Sequence, residues 1–230
     1  MDKMWYLKQI DIFSDLNEPQ LQKVNEIAIH KPLKKKEIIY LPGDRSDKVY
    51  LLKEGRVKVS RISEDGKEMT TVILEPGEIF GESALFGDEE YRSTMAEALN
   101  DAMVCTVYRN EFEDILKRQP EISLKLTKEI GKRKQEIENR LEDMVFRNVT
   151  ARLAHLLLNL AKKYGKEKEE GVLIDFPLTH LEIARLIGST RETTTTEINN
   201  LKRDGRLSVK KRAIYLTDIP ELEELAQVYE

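Results

Sequence analysis

Between residues 30 and 108, apolar and polar positions alternate, and glycines interrupt the alternation at short intervals. Val49 and Leu51, and then Val57 and Val59, have polar neighbours, a period of two that predicts half-buried strands. Six glycines between positions 43 and 87 recur every 4 to 12 residues, which is typical of turns in an antiparallel roll or barrel. We expect a β-roll here, preceded by a short helical segment within residues 6–29.

Beyond residue 110 the apolar period becomes helical. Pro120 separates a short helix, residues 111–118, from a longer one that ends near residue 147. The longer helix carries an apolar seam along which two chains can pair, formed by Ile130, Ile137, Leu141 and Met144. Because the seam is short and Lys134 occupies one of its core positions, a helix packed on its own β-domain is the alternative.

Two capping boxes mark the next pair of helices. Thr179 with Glu182, and Ser189 with Glu192, each predict a helix start, and Gly188 separates the two helices. Two helices joined by a tight glycine turn form a helix-turn-helix unit. The apolar runs that follow predict a two-stranded wing, and its basic tip consists of Lys210, Lys211 and Arg212.

The pattern as a whole predicts an α+β protein with an N-terminal antiparallel β-roll, a long central dimerisation helix and a C-terminal winged helix-turn-helix. A further helix is expected over residues 152–163, and the Lys- and Glu-rich segment 165–171 is expected to be an exposed loop. We place the domain boundaries at residues 1–115, 116–147 and 148–230.

The second helix of the pair carries side chains suited to the major groove of DNA. Arg donates two hydrogen bonds to guanine, Glu accepts from the cytosine amino group, and Thr methyls contact thymine methyls. Threonine is a poor helix former, so helical propensity does not explain the run 193–196, although a threonine-rich loop is the alternative. The candidate DNA-binding residues are Thr179, His180, Ser189, Thr190, Arg191, Glu192, Thr194, Thr195, Thr196, Lys202, Lys210, Lys211 and Arg212.

Composition narrows the class of protein. The 230 residues fit two modest domains, and 40% hydrophobic with 35% charged residues indicates a soluble globular chain without a membrane span. The net charge of −4 hides a basic segment, since residues 176–216 hold eight Lys and Arg against four Asp and Glu. That segment suits phosphate contacts on DNA, with a solvated surface as the alternative.

The single cysteine and the N-terminal sequence point to the cytoplasm. One thiol excludes an internal disulfide and an iron–sulfur cluster built within one chain. The first residues lack the pattern of an export signal. We expect no metal, haem or iron–sulfur cluster, and no enzyme, because no nucleophile–base set or nucleoside triphosphate loop occurs.

A second candidate site lies in two short segments of the predicted β-roll, residues 80–86 and 91–94. A glycine lets backbone N–H groups approach an anion, an arginine clamps phosphate through its planar fork, and a glutamate accepts from a sugar hydroxyl. The candidate effector-binding residues are Gly81, Glu82, Ser83, Arg92 and Ser93. An ion pair between Glu82 and Arg92 that only closes a loop is the alternative.

These motifs resemble the cyclic-AMP receptor protein/FNR family of transcription regulators over nearly the whole chain. Residues 80–85 with Arg92 and Ser93 resemble its phosphate-binding cassette, residues 148–162 the start of its DNA-binding domain, and residues 188–193 the opening of its recognition helix. The resemblance implies a homodimer that binds a near-palindromic site on double-stranded DNA, with recognition helices in major grooves about 34 Å apart. Effector binding then shifts the population between two dimer arrangements.

The resemblance makes a cyclic nucleotide, with cyclic AMP first, the expected effector. Ile137 and Glu138 occupy the central-helix positions where cyclic-AMP binders of the family hold adenine with Thr and Ser, so both join the effector-binding set. Isoleucine forms no side-chain hydrogen bond, so Glu138 or apolar contact would hold the base. Members that respond to 2-oxoglutarate or act without effector remain alternatives, as does a cyclic-nucleotide-binding regulatory subunit of an enzyme.

The resemblance also bears on the DNA site and on transcription. Arg191 and Glu192 match the family's guanine and cytosine readers, whereas Thr196 stands where a second recognition arginine occurs. The expected half-site therefore keeps one G·C pair, read by Arg191. Segment 165–171 lies where activators of the family touch RNA polymerase, so activation is the expectation.

Overall fold

The computed structural model describes residues 7–8, 10–86, 90–211 and 213–227. Arg212, which was predicted to bind DNA, lies outside these residues. The chain forms two compact units, Met1–Gln135 and Glu136–Glu230, and the boundary between them falls inside the long central helix. Among the described residues, no helix is long and apolar enough to cross a membrane.

Within its described residues, the first unit contains eight short strands in two four-stranded sheets. The strands are β1 Ile29–Leu33, β2 Ile38–Tyr40, β3 Lys48–Glu54, β4 Val57–Ile62, β5 Glu68–Leu74, β6 Ile79–Phe80, β7 Met95–Ala98 and β8 Ala102–Tyr108. The strand orders are β1-β8-β3-β6 and β2-β7-β4-β5, and the paired strands run antiparallel. The β-roll predicted from the glycine spacing is confirmed.

Helices flank the roll and close its core. They are a 3-10 turn at Asp11–Phe13, α1 Glu18–Ile27, α2 Ser83–Phe86, α3 Arg109–Arg118 and α4 Pro120–Phe146. Asn17 and Gln20 form a capping box at the start of α1. Ile122 and Leu126 of α4 are buried in the roll's core, and Ile130 packs against it. The first half of α4 therefore packs on its own domain.

The second unit continues α4 into the helix-turn-helix and wing. Its elements are α5 Val149–Tyr164, β9 Gly165–Lys168, β10 Gly171–Ile174, α6 His180–Ile187, α7 Arg191–Arg203, β11 Leu207–Lys210, β12 Ala213–Leu216 and α8 Ile219–Ala226. The strands form one sheet in the order β11-β12-β10-β9. The predicted winged helix-turn-helix is confirmed.

Two segments of the second unit differ from expectation. The predicted loop at 165–171 is a β-hairpin, because every residue of β9 pairs with β10 although none of them is buried. The acidic C-terminal segment contains α8, which Asp218 caps and Pro220 opens. Leu222 and Ala226 bury one face of α8, so this helix is part of the core.

A buried ion cluster joins three strands of the roll. The side chain of Lys58 on β4 is 3% exposed, and its Nζ lies 2.6 Å from Glu68 Oε1 on β5 and 3.3 Å from Glu97 Oε2 on β7. Ser60 Oγ donates to the same Glu68 oxygen at 2.9 Å. A buried ammonium ion has lost its hydration, so the two carboxylates replace the charge stabilisation that water supplied.

Lys58→Ala should lower the free energy of unfolding by about 3 kcal/mol, because Glu68 and Glu97 would stay buried without their cation. Urea titration followed by circular dichroism measures this change. Lys34→Ala is the matched control, since the side chains of Lys34 and Asp101 pair while 85% and 67% exposed, and exposed pairs contribute little. Equal unfolding midpoints for the two variants would contradict the role of the cluster.

Candidate effector pocket and nucleic-acid interface

Gly81 forms a sharp corner between β6 and α2. Its φ is +71°, a left-handed conformation that costs glycine no steric strain. A Cβ at this position would lie 2.9 Å from Arg92 Nη1 and 2.9 Å from Tyr50 Cδ2. The missing side chain therefore lets the backbone meet the Arg92 guanidinium, and two predicted effector-binding residues come together.

Aromatic rings and a backbone carbonyl hold Arg92 in place. The residue is 5% exposed, and its Cζ lies 4.2 Å from the ring centroid of Tyr40 and 5.3 Å from that of Tyr50, which is within cation–π range. Its Nη2 donates to the carbonyl of Lys48. Burial raises the pKa of the Tyr40 and Tyr50 phenols, so both rings are neutral partners of the cation.

Arg92 retains unused hydrogen-bonding capacity. Its Nε is buried and has no hydrogen-bond partner. Within the described part of the chain, no carboxylate lies at ion-pair distance from Arg92, and Glu82 pairs with Arg133 instead. The alternative of a simple Glu82–Arg92 pair is therefore not observed. A buried cation without a counter-charge is costly, so this arrangement suits an anionic ligand that supplies both an acceptor and a negative charge.

Arg133 on α4 is a member of this site that sequence reasoning missed. Its Nη1 lies 3.3 Å from Glu82 Oε1, and its Nη2 donates to the Ile79 carbonyl at 2.9 Å. Nη2 also lies 3.4 Å from Glu129 Oε1. Burial raises the pKa of the Glu129 carboxyl group, and the charge of Arg133 opposes that rise. Nothing in the sequence distinguishes Arg133 from the other basic residues of a highly charged helix.

The remaining predicted effector residues fall into two groups. Ser83 and Ser93 are exposed in the same unit as Gly81. Ile137 and Glu138 lie in the second unit and are also exposed. Their part in holding a base stays a prediction.

The helix-turn-helix owes its shape to two caps and one glycine. Thr179 and Glu182 form the predicted capping box at the start of α6. Gly188 ends α6 in the left-handed conformation with φ +63°. The cap of α7 is Thr190, which accepts from the backbone N–H of Thr193, so the predicted start at Ser189 is wrong by one residue.

Most of the predicted DNA-binding residues lie at the surface. Arg191, Glu192 and Thr196 are exposed on the first two turns of α7. His180 is half-buried, and its Nδ1 lies 2.9 Å from Thr195 Oγ1, which fixes the start of α6 against α7. The other exposed or half-buried members are Thr179, Ser189, Thr190, Lys202, Lys210 and Lys211.

Thr194 is the exception and corrects the prediction. Its side chain is fully buried, and its Oγ1 has no hydrogen-bond partner. Thr194, Ile198 and Leu201 are spaced by four and then three residues, so they lie on one side of α7, and that side is buried. Thr194 packs in the core and does not face DNA.

One of the two described basic residues at the wing tip is paired with a carboxylate. Lys210 and Lys211 are exposed, but the ammonium group of Lys210 pairs with Glu170 from the β9–β10 turn. Lys211 adopts φ +49° at the tip. A contact between Lys210 and a DNA phosphate would have to compete with Glu170.

The four residues of the predicted dimer seam have different surroundings along α4. Ile130 packs on the roll, as the alternative proposed, whereas Ile137 and Leu141 are 44% and 61% exposed. Val145, four residues further on, is also 61% exposed, and Met144 lies against Gly188. An open apolar stripe of this kind is typical of an interaction surface.

Thr194→Val should raise the free energy of unfolding by about 1 kcal/mol, because it removes a buried hydroxyl that forms no hydrogen bond and keeps the side-chain shape. Thermal unfolding by calorimetry measures the change. Thr196→Val is the matched control, since Thr196 is exposed on the same helix. A loss of stability in the Thr194 variant alone would show that its hydroxyl has a partner.

Comparisons with known proteins agree with this geometry. The family description "Cyclic nucleotide-binding domain" matches residues 30–119, and "Crp-like helix-turn-helix domain" matches residues 151–225. The chain is 33% identical to a global nitrogen regulator of Nostoc sp., over 76% of this chain and 79% of that protein. It is 28% identical to a CRP-like cAMP-activated global transcriptional regulator of Mycobacterium tuberculosis, over 80% and 82% of the two chains.

A solved structure extends the likeness to nearly the full length. A mutant of CooA from Carboxydothermus hydrogenoformans superimposes with a TM-score of 0.81 at 27% identity, over 96% of this chain and 95% of that one. The two domain matches and these relatives together indicate a DNA-binding transcription regulator and not an enzyme. The chain therefore belongs to the cyclic-AMP receptor protein/FNR family of DNA-binding transcription regulators.

Proposed function

We propose that this chain is a homodimeric, sequence-specific activator of transcription that a cyclic nucleotide, cyclic AMP first among them, switches on. The buried Arg92 guanidinium carries the effector part of the proposal, because its Nε lacks a partner and Gly81 lets the backbone approach it closely. A cyclic phosphate supplies one negative charge and several acceptors to such a group. The match to the cyclic nucleotide-binding domain supports the same ligand class.

Each effector residue has a separate task in this proposal. Arg92 binds the phosphate, with the exposed Ser83 and Ser93 as further donors. Glu82 accepts from a ribose hydroxyl, and Arg133 keeps the Glu82 carboxylate oriented at 3.3 Å. Arg133 also reaches the Ile79 carbonyl, so it joins the effector site to α4.

A second small anion, 2-oxoglutarate, is the other candidate effector. Ile137 and Glu138 stand where the family's cyclic-AMP binders use hydroxyl side chains, and an isoleucine offers no hydrogen bond to adenine. Arg92 would bind a carboxylate through the same planar fork.

DNA reading is assigned to the start of α7. Arg191 and Glu192 are exposed at its first turn, where an arginine reads guanine and a glutamate reads cytosine. Thr196 in the next turn suits a thymine methyl. In a dimer formed through Ile137 and Leu141, the two α7 helices read the halves of a near-palindrome.

The exposed β9–β10 hairpin is proposed to contact RNA polymerase. It occupies the segment where the resemblance places the polymerase contact of activators, and all four residues of β9 are exposed. A regulator with these partners works in the cytoplasm, together with DNA and polymerase.

Arg191→Ala should weaken operator binding by roughly 1–3 kcal/mol, and the loss should vanish on operators whose contacted G·C pair is already replaced. Fluorescence anisotropy with operators selected from random duplexes measures the affinity for the matched operator and for the operator with the replaced base pair. Arg203→Ala is the matched control, because Arg203 is exposed at the far end of the same helix. Unchanged affinity in the Arg191 variant would refute its assignment.

Calorimetric titration of cyclic AMP, cyclic GMP and 2-oxoglutarate into ligand-free protein tests the effector. We expect heat from cyclic AMP that Arg92→Ala abolishes, because the phosphate loses its buried cation. Arg45→Ala is the control, since Arg45 is an exposed arginine of the same unit. Circular dichroism verifies that each variant is folded. Heat from neither cyclic nucleotide would overturn the cyclic-nucleotide proposal and leave DNA binding intact.

A further inference from the structure

The last three turns of α4, residues 136–146, present two different faces within the second unit. One face is open to solvent and carries Ile137, Leu141 and Val145 at successive steps of four residues. Such steps place side chains along one side of a helix. The other face contacts the end of α6, the turn that follows it, and α5. We call this segment the α4 end.

Arg140 connects the α4 end to the turn of the helix-turn-helix. Its Nη2 donates to the carbonyl of Leu186 at 3.4 Å, close to the C-terminus of α6, where backbone carbonyls lack helical partners and a positive charge is favourable. Burial lowers the pKa of the Arg140 guanidinium, while the neighbouring carboxylates of Glu136 and Asp143 oppose that shift. The contact thus places a partly desolvated cation at one defined carbonyl.

Met144 contacts the same turn from the next helical step. A Cβ at Gly188 would lie 3.1 Å from Met144 Cε and 3.5 Å from its Sδ, so the turn and the thioether are already close. Gly188 is the residue whose left-handed conformation sets the angle between α6 and α7. Arg140 and Met144 therefore hold the turn that orients the recognition helix.

Further bonds fasten the α4 end to α5. Asp143 Oδ2 lies 2.6 Å from His155 Nδ1, and Arg152 donates to the carbonyls of Met144 and Arg147 at 3.2 and 2.9 Å. These carbonyls are the final acceptors of α4 and its exit, which would otherwise need water. The corner between α4 and α5 is thus closed by side chains from both helices.

We propose that Arg140 and Met144 are positioning residues that set the half-site spacing which the dimer accepts. The inference rests on the proposed dimeric DNA binding. If two copies pair through Ile137 and Leu141, the dimer axis runs beside the α4 end. A helix-turn-helix fixed to that end is then held at a defined distance from the axis. Loss of these two contacts leaves the DNA-reading surface of each α7 helix intact, but the distance between the two α7 helices of the dimer is then no longer fixed.

The test compares operators whose half-sites are at the selected spacing or one base pair closer or further apart. Arg140→Met should lower affinity for the selected operator roughly tenfold, within the usual range of coupling between two sites. In the same variant, the loss of affinity that a change of one base pair in half-site spacing causes should fall to about twofold or less. Binding to an isolated half-site should not change, because Arg140 contacts a protein carbonyl. Circular dichroism and thermal unfolding verify that each variant keeps its fold, because removing one partner of a desolvated charge can destabilise a protein.

Companion variants separate positioning from general damage. Met144→Ala should relax the spacing preference, whereas the volume-conserving Met144→Leu should retain it. The double variant Arg140→Met, Met144→Ala should lose no more selectivity than either single one, because both act on one turn. Lys132→Met, at an exposed position of the same helix, should behave as the unaltered protein.

The outcomes distinguish this inference from the function on which it rests. Failure of the unaltered protein to select any operator from random DNA would refute the proposed function itself. Selection of an operator, with an undiminished spacing penalty in both Arg140→Met and Met144→Ala, would refute the positioning role alone. Sedimentation of each variant verifies that the dimer is unchanged.

Discussion

Removing a positive charge from water requires a compensating negative charge, and this requirement organises the first unit of the protein. Lys58 meets it with two carboxylates from neighbouring strands. Arg133 meets it with Glu82 and Glu129. Arg92 is buried as deeply as Lys58, yet in the described part of the chain it has only tyrosine rings and a carbonyl around it. The same physical rule that explains the first two cations makes the third the candidate for an anion-binding residue.

That difference also explains why the site is built at a glycine corner. A side chain at position 81 would reach within 2.9 Å of the guanidinium, so even a methyl group would displace Arg92 or Tyr50. Glu82 follows directly, and its carboxylate is held by Arg133 of α4. One corner of the roll therefore joins an anion-binding cation to the helix on which dimer contacts are proposed.

Local signals in the sequence predicted the helix-turn-helix well, because caps and a left-handed glycine act over a few residues. The same signals placed the α7 start to within one residue. The burial of Thr194 follows from its spacing of four and seven residues from Ile198 and Leu201, the apolar residues of the same face. The β9 strand escaped prediction since its four residues are exposed and only pairing with β10 makes them extended. Arg133 escaped because its role depends on Glu82, which is 51 residues away in the chain. Long-range contacts between charged residues leave no periodic pattern.

The apolar stripe of α4 extends beyond the part of the helix that the β-roll covers. Ile122 and Leu126 are buried and Ile130 packs on the roll, and the same side of the helix continues through Ile137 and Leu141. At 100° per residue these positions lie within one apolar stripe. The same helix face is therefore apolar in both halves of the helix, although it is buried in the first half and exposed in the second. A symmetric pair of helices covers such a face with an identical one, since a two-fold interface needs only a patch that complements itself. The length of the stripe thus favours a second copy of this chain as the partner of the open half.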